Sequence, residues 1–171
     1  FGTAGSDTGD TIDAGAGNDT VTNSGPLTGN IALGDGNNTL TNSAAITGNV
    51  TAGAGNDTLA NTLATGTVTG NIDLGTGTDA ISNLVGTGTV NRTGTGTLTL
   101  SGNNSGYTNA GTVLNINGGG TVSIGDSNDM FTGGITMANG TLQTTGVFEV
   151  GDYVVLSPFP PPEESAASAA N

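Results

Sequence analysis

The sequence predicts an all-β fold, a parallel β-solenoid of about 20 residues per coil that ends in a β-hairpin and a Pro-rich tail. Three observations carry this expectation. A Gly-x-Gly-x-(Asp/Asn) motif returns at Gly15-Ala-Gly-Asn-Asp19, Gly34-Asp-Gly-Asn-Asn38, Gly53-Ala-Gly-Asn-Asp57 and Gly75-Thr-Gly-Thr-Asp79, in steps of 19, 19 and 22 residues. Apolar residues fall into columns with the same spacing. Helix formers such as Lys, Glu and Gln are nearly missing, whereas the chain holds 32 glycines. A unit this small cannot bury its own apolar face, so it is stable only when stacked on copies of itself.

Each coil reads as three short strands. A first apolar column runs Ile12, Ile31, Val50, Ile72, and two residues later a second runs Ala14, Leu33, Ala52, Leu74. Between them lie Asp13, Ala32, Thr51 and Asp73, so the pattern is inward, outward, inward, as in a half-buried strand. The glycine motif then turns the chain. A third column, Val21, Leu40, Leu59, Ile81, marks a second strand flanked by Thr20, Thr39 and Thr58. Leu27, Ile46 and Val68, each followed by Thr-Gly, give a third face. Two Asn columns, Asn23, Asn42, Asn61, Asn83 and Asn30, Asn49, Asn71, mark corners where stacked amides bond along the axis and satisfy released backbone groups. Extra residues between Asn61 and Val68, and again between Asn83 and Val90, are expected to form a loop at one corner.

This first register spans 1–90. A second repeat follows over 91–146, with Gly96-Thr-Leu-Thr-Leu100, Gly120-Thr-Val-Ser-Ile124 and Gly140-Thr-Leu-Gln-Thr144 as its strands, and continues the coil with altered corners. Arg92 falls at the junction and reads as a solvated corner charge. Over 147–157, Val-Phe-Glu-Val, Gly151-Asp152 and Tyr-Val-Val-Leu156 predict a hairpin that closes the solenoid end. Residues 158–171 open with Pro158, Pro160, Pro161 and Pro162 and read as a linker or an arm seeking a partner.

Composition excludes several functions. One basic residue, a Arg, stands against 14 acidic ones, for a net charge of -13, which argues against nucleic acid and anionic membranes as partners. No segment approaches the ~18 apolar residues of a membrane span. With no Cys and no His, the only metal to consider is a hard cation held by oxygen.

The stretches "LTGNIALGDGNNTLTNSAAITGNVTAGAGNDTL" and "GTLTLSGNNSGYTNAGTVLNINGGGTVSIG" resemble the passenger domains of bacterial autotransporters and related surface adhesins. That resemblance implies a right-handed parallel β-helix, an extracellular or cell-surface location, and adhesive or structural work toward a surface glycan or protein. Ala14-Gly-Ala-Gly-Asn-Asp-Thr-Val-Thr22 and Ala52-Gly-Ala-Gly-Asn-Asp-Thr-Leu-Ala60 resemble the calcium-binding RTX nonapeptide. It implies calcium near Asp19, Asn38, Asp57 and Asp79. The plainer reading of the same residues is that the glycines supply positive φ for a tight corner and the Asp or Asn caps its own turn.

Three functions compete. The leading expectation is an extracellular structural or adhesive solenoid that forms a homopolymer, because Asp7 to Ala14 already reads as repeat and would leave strand edges open to a second copy. A calcium-stabilised binding module is the alternative. A polysaccharide-active enzyme is the third, with Asp126 and Asp129 as its paired carboxylates. The absence of His and Lys as bases, and the few aromatic platforms, argue that the chain is not an enzyme and has no catalytic residues.

Overall fold

The structure, a computed structural model, describes residues 12–62, 65–104, 106–125, 132–144 and 154–156. The first coil comprises β1 (Ile12–Asp13), β2 (Thr20–Asn23) and β3 (Leu27–Thr28). The second comprises β4 (Ile31–Ala32), β5 (Thr39–Asn42) and β6 (Ala45–Thr47), and the third β7 (Val50–Thr51), β8 (Thr58–Asn61) and β9 (Thr67–Thr69). The fourth holds β10 (Ile72–Asp73), β11 (Gly77–Ser82) and β12 (Val85–Thr87). Then follow β13 (Val90–Arg92), β14 (Gly96–Ser101), β15 (Gly106–Ile116), β16 (Thr121–Ile124), β17 (Thr132–Met137), β18 (Thr141–Thr144) and β19 (Val154–Leu156). The described chain is all-β, a solenoid of about 6 turns with roughly 20 residues per coil, whose strands form three parallel faces.

Register is what makes it a solenoid. On the first face Ile12, Ile31, Val50, Ile72, Val90, Leu114, Ile135 and Val154 pair in succession, each one coil above the last. On the second face Val21, Leu40, Leu59, Ile81, Leu100 and Ile124 do the same. The side chains from Ile31 to Ile135 on the first face and from Val21 to Ile124 on the second point inward and are buried, which removes the apolar surface a single coil would expose. The third face stacks β3, β6, β9, β12 and the start of β15. β15 runs around the corner from the third face to the first, so those two faces join in one twelve-stranded sheet.

The change of repeat does not interrupt the coil: β10 pairs β13 and β11 pairs β14 across it. Two expectations are corrected here. The third-face residue above Val68 is Gly86, and Val90 belongs to the first face above Ile72. A Cβ at Gly86 would lie 1.8 Å from the Val68 carbonyl oxygen, so the close approach there demands glycine and leaves no apolar side chain to mark the column. Leu84 and Tyr107 fill the core instead; Tyr107 pairs with Gly86, its hydroxyl lies against Gly88 and donates to the Gly70 carbonyl, and burial pushes that phenol's pKa up.

The Asn column is the second correction. Asn23 Nδ2 donates to Asn42 Oδ1, and Asn42 Nδ2 to Asn61 Oδ1, both at 2.8 Å, and Asn61 Nδ2 ends the ladder on the Gly66 carbonyl of the wider corner. Asn83 leaves it. Its backbone turns to φ 57, and its Oδ1 accepts the Asn103 N–H instead. Of the expected closing hairpin, the first arm lies outside the described residues. The second, Val154–Leu156, pairs parallel with β17 as one more rung of the first face. The Pro-rich tail is also outside the described residues.

Candidate functional site

The glycine corner joins the first face to the second. Gly15, Gly34 and Gly75 take φ of 87, 80 and 74, and Gly17, Gly36 and Gly77 take larger positive values. A Cβ on Gly34 would stand 1.6 Å from the Gly15 carbonyl oxygen, so successive corners touch backbone to backbone. Two Asx positions then bind each corner to its neighbours in opposite directions. Outside, Asn18 Oδ1 accepts the N–H of Asn37, Asn37 Oδ1 that of Asn56, and Asn56 Oδ1 that of Thr78, each at 2.8 Å.

One residue further, inside, the four candidate metal positions form a second ladder of reverse polarity. Asn38 Oδ1 accepts the N–H of Asp19, Asp57 Oδ1 that of Asn38, and Asp79 Oδ1 that of Asp57, all at 2.9 Å. The structure therefore brings Asp19, Asn38, Asp57 and Asp79 into one column, and gives each of the last three a hydrogen bond to the coil before it. Asn38 and Asp57 are each 1% exposed, as is Asp79. In the coils above, the same column continues as Leu98, Val122 and Leu142. A polar interior column thus gives way to an apolar one between Asp79 and Leu98.

Arg92 sits at that change, and the expectation that it is a solvated corner charge is wrong. It occupies the inward first-face position below Ile116 and is 1% exposed. Its Nη1 donates to Asp79 Oδ2 at 2.5 Å and to the Gly75 carbonyl at 2.8 Å; its Nη2 donates to the Gly77 carbonyl at 3.0 Å and to the Thr95 carbonyl. Room for it comes from glycine: Cβ atoms at Gly96 and Gly120 would lie 2.9 and 2.8 Å from the guanidinium. A buried Asp at the end of a polar column needs a partner, and Arg supplies charge and a planar fork of donors together.

The second oxygens divide the four positions. Asn38 carries Nδ2 there and donates to the Gly34 and Gly36 carbonyls at 3.1 and 3.2 Å. Asp79 Oδ2 has Arg92. Asp19 Oδ2 and Asp57 Oδ2 are buried without a hydrogen-bond partner. Burial pushes the Asp57 carboxyl up from its ordinary value, hydrogen bonds from Asn38 pull against this, and the charges of Asp79 and Asp35 add to the rise. Burial likewise raises Asp79, opposed by the Asp57 N–H and by Arg92.

Two of the four positions are therefore occupied by nitrogen and offer a cation nothing; the other two present bare oxygen, which suits a hard cation. Among the described residues no three His, Cys, Asp or Glu side chains gather as a metal-ligand group. Asp126 and Asp129 lie outside the described residues. Sequence reasoning found the column but missed Arg92, because a residue that occurs once has no repeat to align with. Comparison with protein-family models, curated proteins and solved structures returned no match.

Proposed function

We propose that this chain is a structural and adhesive module of the extracellular surface that stacks head to tail into a filament, and that it is not an enzyme. The observation that supports this is the sameness of the rungs. Through the first four coils each passes to the next the same backbone and Asx groups that it takes from the one before, and a stack held together in this way accepts a further parallel rung. A heterologous contact of that kind grows without closing. Outward threonines in register, Thr20, Thr39 and Thr58 beside Thr22 and Thr41, provide the regular hydroxyl surface for a glycan or protein partner. The likeness to autotransporter passenger repeats favours the same role. Sedimentation of the purified chain over a concentration series tests it: mass should grow with concentration, and a strictly monomeric 16.4 kDa species throughout would contradict it.

A calcium-stabilised module is the second reading, favoured by the unpartnered Oδ2 atoms of Asp19 and Asp57. Asp19 and Asp57, two coils apart, would each hold an ion of its own with its corner carbonyls. Under that reading chelator lowers the melting temperature and added calcium restores it.

A further inference from the structure

Two Asn-Gly steps occur in the chain, Asn117-Gly118 and Asn139-Gly140, and they stand at successive corners between the first face and the second, one before β16 and one before β18. In this dipeptide an asparagine side chain is open to attack by its own backbone. The nitrogen of the following residue can reach the side-chain carbonyl carbon, Cγ, because glycine puts no Cβ in the way. What decides the reaction is whether that nitrogen is free. Every other internal asparagine is followed by a residue with a side chain, and Asn23, Asn42 and Asn61 also have their amides tied into the inner ladder.

The two corners share one frame, with the dipeptide set one residue apart in it. At the lower corner the Arg92 carbonyl accepts the N–H groups of Asn117 and Gly118, both at 3.1 Å. At the upper corner the Ile116 carbonyl, one rung above Arg92, accepts those of Ala138 and Asn139, at 3.0 and 3.4 Å. The second donor is therefore Gly118 in one corner and Asn139 in the other. Gly118 N, the nitrogen that would attack Asn117, is engaged, and a Cβ there would lie 1.7 Å from the Thr93 carbonyl oxygen, so its backbone is also packed against the coil below. Gly140 N, the nitrogen that would attack Asn139, has no acceptor among the described residues, and Asn139 is exposed to water. Packing keeps the labile pair in place: a Cβ at Gly140 would stand 2.5 Å from Ile116 Cγ2 and 2.7 Å from the Gly120 carbonyl oxygen, so the corner demands glycine after Asn139.

We propose that Asn139 is a site of spontaneous deamidation, with water as the co-reactant, and that the fold protects Asn117. Gly140 N gives its proton to solvent base and bonds to Asn139 Cγ; the bond from Cγ to Nδ2 breaks, and the side-chain nitrogen takes a proton and leaves as ammonia. The product is a cyclic succinimide. Water then opens the ring at either carbonyl: breaking the bond from Cγ to Gly140 N leaves aspartate, and breaking the bond from the Asn139 backbone carbonyl carbon to Gly140 N leaves isoaspartate, with the chain running through Cβ and Cγ. One amide and one water become one carboxylate and one ammonium, with no change of oxidation state. Either product adds a negative charge to a chain already at -13. Isoaspartate also puts an extra main-chain atom just before β18, the strand at the end of the seven-stranded sheet, whose hold on the coil below starts at the 2.9 Å bond from Thr141 N–H to the Gly120 carbonyl. That rung is loosened as the site reacts. The inference does not depend on filament growth.

The test is incubation of the purified full chain at mildly alkaline pH, folded and in denaturant, with peptide mass mapping of both sites over time and fragmentation that separates aspartate from isoaspartate. In the folded chain Asn139 should convert about fivefold faster than Asn117 or more, the factor that one hydrogen bond of ordinary net strength supplies. In denaturant the two should convert at similar rates. After incubation the β18 amides should exchange hydrogen faster than in fresh protein, and N139Q treated alike should show neither the mass change at that site nor the faster exchange. Asn117 converting as fast as Asn139 in the folded chain, or an Asn139 that stays intact when folded and converts in denaturant, would overturn the proposal. Faster exchange appearing equally in N139Q would overturn the effect assigned to β18.

Discussion

At the residue scale the Asp79–Arg92 pair carries the sharpest consequences. Both side chains are buried, so removing one partner leaves a charge in the core without compensation. Arg92→Met should destabilise the chain by about 3–5 kcal/mol in denaturant unfolding. The double change Arg92→Met with Asp79→Leu should recover most of that loss, because Leu98 already holds the same column one coil higher. If the double variant is no more stable than Arg92→Met alone, the ion pair is not what joins the two kinds of column. The four Asx positions of this corner were legible in the sequence because a fixed period reveals equivalence. Their task was not, because period says nothing about which coil a side chain oxygen addresses. Asp57 and Asn38 look interchangeable in the repeat, yet one brings a donor to the glycine carbonyls and the other lacks one unless protonated.

At the element scale the corners, more than the strands, decide the register. Most first-face strands are two or three residues long, too short to fix their own pairing, and the Asx and glycine contacts between corners supply what they lack. Gly34→Ala should therefore be far more damaging than Gly15→Ala. Both pay the strain of positive φ, ~1–2 kcal/mol, but only at Gly34 does the new Cβ collide with backbone, while at Gly15 nothing described lies within 4 Å. Equal melting temperatures for the two variants would refute this. Asn42→Ala removes the middle of the inner amide ladder and the contact with the Thr67 carbonyl, and should cost about 1–3 kcal/mol by leaving Asn23 and Asn61 half-satisfied. The apolar columns that define the strands were readable wherever the side chain was apolar. They vanished at Gly86, where close approach to Val68 excludes any side chain, and the alignment then slid to Val90.

At the scale of the whole molecule, an apolar core three faces wide is repeated along an axis, and it survives a change of repeat because the inward columns continue through it. The repeat phrase alters at the junction, where Arg92, Gly96 and Gly120 together convert a polar interior column to an apolar one. The proposed filament follows from the same translational sameness that stacks the coils within one chain. Electron microscopy of the purified chain, with diffraction from aligned material, tests that most directly. The expected result is unbranched fibres with a meridional spacing of ~4.8 Å, the separation of adjacent parallel strands, running uninterrupted along the axis. Isolated particles of single-chain size at high concentration, with no axial repeat, would contradict it.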